Sequence, residues 1–387
     1  IKMVPVLDPP TPAAPDWVAK PIIWSIAGND SGGGAGLSAD QRAAEAFGVH
    51  LCPVLAAITA QSSVGVARVE AVSPEVLDAQ LAALADDMPP AAIKTGLLGS
   101  AGTVAVVARW VDKLRERAPV ALVVDPVLGA STGAAFADDA VLRAYRELLL
   151  PRATLLTPNE REARRLVGEG GGEDAPQPLT PALSPNGRGS EQPGSFQSDA
   201  AVLPPLPAGE RAGVRGTAHP APVAVVPALA QALRAQGTQA VAITGGDSAP
   251  APGWSLDWID TPHASGWLAL PRIDTRHAHG TGCTFATSAA CAMALGFVAA
   301  DALVRAKMAT THALRHGYAA GQGAAAAVNA DARMTLLARV HAPKPSRYAT
   351  DCTTELMIWE VAKTPPTMAH SRSSRPVSVL PHRMISL

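Results

Sequence analysis

Four short stretches carry the residues best suited to chemistry. The run HAHGTGCTFATSAACAMALG (277–296) sets a Gly-Thr-Gly turn directly before a helix of small residues, with Cys283 at the junction. Gly280, Thr281, Gly282 and Cys283 then offer successive backbone N–H groups at a helix N-terminus, donors suited to an oxyanion or a phosphoryl oxygen. A helix N-terminus also lowers a thiol's pKa from about 8.5, which makes Cys283 a candidate base. Taken alone, it is equally a small buried cysteine. His277 and His279 precede the turn, but no further ligand at workable spacing completes a His-x-His…Cys metal set. In VVDPV (123–127), Asp125 follows a buried strand, where a carboxylate serves either as a cap or as an oxygen ligand for Mg²⁺ or its waters. In TPNERE (157–162), Asn159 and Glu162 lie three apart at a helix start. That spacing alone describes a capping box. GNDSGGGAGLSAD (28–40) has glycines that let a backbone approach a ligand and start a helix, yet no GK[ST] follows and no dinucleotide fingerprint is completed.

The elements that must position these residues alternate. Residues 22–27, 51–58, 91–95, 120–125, 153–159 and 240–246 read as strands. A helix is expected over about 37–47. Another starts at Ser73-Pro74, with Ser as cap and Pro in the first turn, and places Leu77, Leu81 and Leu84 on one face. Val104, Val107, Val111 and Leu114 mark a further amphipathic helix, and helices follow Thr281 and Asp301. Strands alternating with helices imply an α/β fold with a mostly parallel sheet covered on both faces. The four motifs fall where strands end or helices begin, the ligand-binding edge of open α/β sheets.

Bulk properties narrow the class. The 387 residues allow one large domain or two ordinary ones, and 48% hydrophobic residues allow a large core. With 32 Lys+Arg against 33 Asp+Glu, the formal charge of −1 gives no footprint for nucleic acid. No apolar run approaches the roughly 20 residues of a membrane helix. Cys52, Cys283, Cys291 and Cys352 are scattered without CxxC pairing, so a reduced, cytoplasmic setting is the default expectation. The N-terminus lacks the compact apolar core of a secretory signal, and Met3 is expected nearer the true start than Ile1. Residues 168–222 are dense in Pro, Gly and Ser, show neither helical nor strand periodicity, and read as a disordered insertion without a catalytic part. The expected organisation is an N-terminal extension (1–19), one domain built from 20–167 and 223–330, the insertion, and a weakly structured tail (331–387).

The motifs occur in a specific order: AGNDSGGGAGLSAD, ITAQSSVGV (58–66), IKTGLLGS (93–100), VVDPVLGASTG (123–133), LLTPNEREA (155–163), ITGGD (243–247) and RIDTRHAHGTGCTFATSAACAMALG (272–296). Together they resemble the hydroxymethylpyrimidine/phosphomethylpyrimidine kinases of the ribokinase-like superfamily, over about residues 20–168 and 223–320. The resemblance implies a three-layer α/β/α fold, use of ATP and Mg²⁺, and a homodimer. It implies transfer of the ATP γ-phosphoryl group to 4-amino-5-hydroxymethyl-2-methylpyrimidine and then to its monophosphate, in thiamine biosynthesis. It places Cys283 at the acceptor hydroxyl, where sugar-kinase relatives carry aspartate, either as the base or as the group that positions the hydroxyl, with Gly280, Thr281 and Gly282 as the anion hole. It assigns Asp125 and Glu162 to the surroundings of Mg²⁺. Gln61, Asp30, Gly32, Lys94 and Leu97 are assigned to the pyrimidine pocket, and Asn159, Thr244 and Gly245 to the nucleotide side. Two positions depart from the family pattern: Thr244 stands where many members have Lys, and Leu97 where many have Met. A pyridoxal or pyridoxine kinase of the same superfamily is the alternative activity, and a non-catalytic pyrimidine-binding or decayed copy is the alternative class. Gln61 favours the aminopyrimidine, because an amide pairs with both a ring nitrogen and an exocyclic amine.

Overall fold

The computed structural model describes residues 19–129, 136–168, 222–245, 253–275, 277–323, 326–327 and 357–359. Apart from residues 19, 168 and 222 at their ends, the expected N-terminal extension and insertion lie outside these residues, as does most of the tail. The chain opens with β1 (Ile22–Asp30), α1 (Gly36–Ala46), β2 (His50–Gln61) and β3 (Val66–Ala71). It continues through α2 (Pro74–Ala85), β4 (Ala92–Thr95), α3 (Ala101–Arg115), β5 (Ala121–Val124) and α4 (Asp139–Ala144). Then come β6 (Leu155–Leu156), α5 (Glu160–Val167), α6 (Pro222–Ala235), β7 (Val241–Thr244), β8 (Trp254–Asp260) and β9 (Ser265–Pro271). The described chain closes with α7 (Thr281–Ala294), α8 (Ala299–Arg315), β10 (Tyr318–Ala319), β11 (Ala326–Ala327) and β12 (Met357–Trp359).

Among the described residues one sheet runs in the order β12-β9-β8-β7-β6-β5-β4-β1-β2-β3. Strands β2, β1, β4, β5, β6 and β7 are parallel, whereas the pairs β2–β3, β7–β8, β8–β9 and β9–β12 are antiparallel. The expected three-layer architecture is thus present. Alternation along β1 shows how it is built: Ile23 faces a core made with α1, α7 and α8, while Trp24 and Ile26 face a core made with α2, α3, α5 and α6. All three side chains are inaccessible to solvent, as a strand covered on both faces requires. The Trp24 indole N–H donates to the Met88 carbonyl at 2.8 Å, so its burial leaves no polar atom orphaned.

Local sequence sets the helix ends. Ser73 caps α2 by accepting from the Val76 N–H, with Pro74 in the first turn. Leu77 and Leu81 are fully buried and Leu84 packs against the same core. Ser100 and Thr103 form a reciprocal capping box at α3, whose Val104, Val107, Val111 and Leu114 are all buried. Several boundaries differ from the sequence expectation. β6 keeps only two residues of the 153–159 run, because Pro158 and the start of α5 end the ladder. The β8–β9 hairpin, absent from the expectation, extends the sheet with antiparallel strands. Within the tail expected to be weakly structured, β12 pairs with β9.

Strand order reverses its direction of growth at β1, flanked by β2 and β4, so the crevice beyond the carboxyl ends of β1, β4 and β5 is the topological switch point. The core beneath it rests on α2. Replacing the fully buried Leu81 by Ala should cost about 2–5 kcal/mol in denaturant unfolding. A loss below about 1 kcal/mol would contradict the packing described.

Candidate active site

The loop after β1 is organised by one carboxylate. Asp30 Oδ1 accepts the Gly32 N–H at 2.8 Å, and Oδ2 accepts the N–H groups of Gly34 and Ala35 at 3.0 and 2.8 Å. His279 Nε2 lies 3.1 Å from the same Oδ2. Burial raises the Asp30 pKa, but the His279 bond and the Ala35 and Gly32 amides outweigh it, leaving the carboxyl below its ordinary value. The carboxamide end of Gln61 stands 3.0 Å from His279 Nε2. One nitrogen cannot both donate to Asp30 and accept from Gln61. The carboxylate therefore fixes the proton on Nε2, and the Gln61 amide turns its oxygen toward it. Asp30, Gly32 and Gln61, expected in one pocket, do converge here, and His279 joins them as a partner of Asp30 and Gln61.

Two turns meet directly at this point. Gly280 has φ +85° as the N-terminal cap residue of α7, and a Cβ there would overlap the carbonyl oxygen of Gly34. Gly36 has φ +55°, and a Cβ there would strike the carbonyl oxygen of Gly28. No side chain caps α7, so the amides of Gly282 and Cys283 at its first turn are left for another acceptor. Leu97, buried, packs close to Gly28 beneath this loop.

Cys283 is half-buried at the start of α7. Desolvation pushes its thiol up to about 12, opposed by Lys94 and reinforced by Asp40 and Asp125, while the Gly36 N–H favours the thiolate. The expectation of a lowered thiol pKa is therefore corrected. The helix terminus and Lys94 act in the expected direction, but loss of water and two carboxylates outweigh them.

Asp125 follows β5, and its N–H donates to Thr95 at 3.0 Å. Burial raises its pKa to about 6, with Lys94 opposing and Asp40 adding to the rise. Asp125 Oδ2 is buried without a hydrogen-bond partner. Across the crevice the capping-box reading of Asn159 and Glu162 is realised: Asn159 Oδ1 accepts from the Glu162 N–H at 2.9 Å, and Glu162 Oε2 accepts from the Asn159 N–H at 3.0 Å. Glu162 Oε1 also accepts from the Leu128 N–H at 3.4 Å, which ties α5 to the segment after Asp125. On the nucleotide-side strand, Thr244 donates its N–H to Pro158 at 2.9 Å and bridges Asn159. The Gly245 N–H donates to Asp257 Oδ1 at 3.0 Å. Asp257 in turn pairs with the buried Lys307 at 2.8 Å.

Lys94 is displaced from its expected role. Its side chain is inaccessible, and its ammonium lies 3.0 and 3.1 Å from the two oxygens of Asp40. Asp40 drew no functional reading from the sequence. A charge among Ala39, Ala43 and Ala44 on the buried side of α1 was the available signal. Asp257 and Lys307 left no comparable signal.

The raised Asp125 pKa has a thermodynamic consequence. Between about pH 4 and 6 the folded state keeps this proton when the unfolded state has lost it, so the stability contributed falls as pH rises through that window. In metal-free buffer at pH 8, Asp125→Asn should raise stability by about 1–3 kcal/mol, and the gain should vanish by pH 4. A lower melting temperature at pH 8 would contradict this.

Comparisons with known proteins place the chain in a family. The family model described as phosphomethylpyrimidine kinase matches residues 30–177 and 218–328. The hydroxymethylpyrimidine/phosphomethylpyrimidine kinase of Synechococcus elongatus is 36% identical over 306 residues, covering 79% of this chain and 96% of the relative. The enzyme of the same name from Streptomyces coelicolor is 33% identical over 314 residues, covering 81% and 94%. Among solved structures, a pyridoxal kinase from Staphylococcus aureus in complex with AMP-PCP and pyridoxal superposes with TM-score 0.60 at 22% identity, covering 84% of this chain and 97% of that one. A phosphomethylpyrimidine kinase from Clostridium difficile superposes with TM-score 0.55 at 23% identity, covering 76% and 100%. These two structural likenesses establish the ribokinase-like fold. With a family match on both sides of residues 178–217 and relatives above 30% identity along nearly their whole length, the chain belongs to the phosphomethylpyrimidine kinase family.

Proposed function

We propose that this chain phosphorylates 4-amino-5-hydroxymethyl-2-methylpyrimidine, and then its monophosphate, with ATP, as a step of thiamine biosynthesis. The observation that carries the reading is the uncapped first turn of α7, with Cys283 in it, sharing charged neighbours with the orphaned carboxylate oxygen of Asp125. Relatives matched along nearly their whole length are named hydroxymethylpyrimidine/phosphomethylpyrimidine kinases.

Each residue has a physical task. The Gly282 and Cys283 amides, with the α7 terminus behind them, offer positive character to a phosphoryl oxygen. The Asp30–His279–Gln61 cluster lines the pyrimidine side, where Gln61 offers an amide to the ring edge. Gly32 and Leu97 shape that wall. Asn159, Thr244 and Gly245 frame the nucleotide side, where Thr244 supplies no cation. Mg²⁺ fits the donor set: Asp125 Oδ2 is buried without a hydrogen-bond partner, and Glu162 brings a second carboxylate beside the segment that follows Asp125. Asp125 and Glu162 would hold the ion largely through waters. When bound, it neutralises phosphate charge.

A thiol near pKa 12 is protonated at neutral pH, so Cys283 orients the acceptor hydroxyl rather than abstracting its proton in advance. That suits phosphoryl transfer, whose loose transition state demands alignment more than a strong base. In this reading residues 20–167 and 223–330 form one kinase domain, which works in the cytoplasm as a homodimer. The exposed apolar side chains of Ile58 on β2 and Val64 in the turn before β3 offer surface for the second copy.

Purified protein with ATP and Mg²⁺ should convert hydroxymethylpyrimidine to the monophosphate and then the diphosphate, and should prefer it over pyridoxal in competition. ADP release with pyridoxal alone would replace this reading with the vitamer kinase. Cys283→Ser, which keeps a hydrogen-bonding group, should stay within about tenfold of the parent kcat, while Cys283→Ala falls further. Equal, deep losses in both would assign the thiol to proton abstraction.

A further inference from the structure

Beneath the α7 turn lies a charge cluster that the expected roles do not explain. Asp40 on α1 is fully buried and accepts four hydrogen bonds. They come from Ser25 Oγ of β1 at 2.6 Å, Thr287 Oγ1 of α7 at 2.7 Å, and Lys94 Nζ of β4 to each oxygen at 3.0 and 3.1 Å. One carboxylate thus ties two strands and two helices at the switch point. Lys94 has no exposed surface, and its ammonium also lies 3.6 Å from Asp125 Oδ2. That distance is within ion-pair reach but too long for a good hydrogen bond. Asp125 Oδ2 is therefore held electrostatically and still lacks a hydrogen-bond partner.

Stability alone does not call for this arrangement. A buried ion pair replaced as a unit by neutral groups of similar volume is often neutral or stabilising. The surroundings give it another task. Burial opposes the Lys94 charge, but Asp40, Cys283 and Asp125 together hold it protonated above the ordinary lysine value. The same ammonium is the cation that draws the Cys283 thiol downward against burial. Lys94 therefore stands beside Asp125, and Asp40, which fixes where it stands, also holds α7, the helix that carries Cys283, through Thr287.

We propose that Lys94, anchored by Asp40, is a positioning residue for phosphoryl transfer: it holds Asp125 and the Cys283 thiol in working register, and it does not contact the pyrimidine. The proposal rests on the kinase reading above. It also explains why a lysine on the pocket-wall strand points inward rather than into the pocket.

Three variants test it: Lys94→Met, Asp40→Asn and the double Asp40→Asn/Lys94→Met. The double variant removes both charges together and keeps the test valid if either single variant fails to fold. In folded variants lacking Lys94, kcat should fall about 100-fold or more, while KM for hydroxymethylpyrimidine stays within about threefold. Alkylation of Cys283 by iodoacetamide at pH 8, followed peptide by peptide by mass spectrometry, should slow by about tenfold, because the thiolate loses the cation that favours it. A loss confined to KM would make Lys94 a substrate contact and overturn the proposal. A folded variant with parental kcat and parental alkylation would leave a purely structural pair and overturn it too. Slowed alkylation in a protein whose parent does not phosphorylate the pyrimidine would sink the substrate reading while upholding the electrostatic link from Lys94 to Cys283.

Discussion

The loop after β1 and the turn before α7 meet backbone to backbone, and the site depends on that approach. The Gly34 carbonyl occupies the space a side chain at residue 280 would need. Asp30 secures the contact from below by collecting two amides of its own loop on Oδ2, a third on Oδ1, and His279 from the far side. This brings the uncapped amides of α7 over the ends of the central strands. It also places Gln61, at the end of β2, beside His279. Residues distant in sequence thus meet at one place.

Electrostatics in the crevice is a contest between burial and a single cation. Burial raises the pKa of both Asp125 and Cys283, and Lys94 opposes it at both. The outcome is a carboxyl near pKa 6 and a thiol near 12, neither of which is the comfortable state of an exposed group. A carboxylate kept ionised at neutral pH against desolvation is costly to the fold and well placed for a hard cation. The same desolvation strengthens any hydrogen bond from the α7 amides to a phosphoryl oxygen.

Sequence reasoning located the parts better than their partnerships. Leu77 and Leu81 on α2, and the valines of α3, were legible because a helix repeats its buried face every three to four residues. Asp125 and the Gly280–Cys283 turn were legible because strand ends and helix starts are where such residue types have work to do. Lys94 was misread: its position on β4 was clear, but its partner Asp40 lies 54 residues earlier, and no local pattern encodes a contact across a sheet. The thiol pKa was misjudged in direction for a related reason. A helix terminus is local and readable, whereas desolvation sums over every element packed around the group. The β8–β9 hairpin escaped notice although β9 has a buried interior that could have been recognised.

The central claim is that the first turn of α7 faces the transferred phosphoryl group, with Asp125 and Glu162 on the metal side. A crystal structure of the protein with ADP, Mg²⁺, aluminium fluoride and hydroxymethylpyrimidine tests it most directly. The account predicts the fluoride mimic within about 3 Å of the Gly282 and Cys283 amides, with Mg²⁺ waters on Asp125. A mimic bound away from the α7 turn, with those amides facing only solvent, would contradict it.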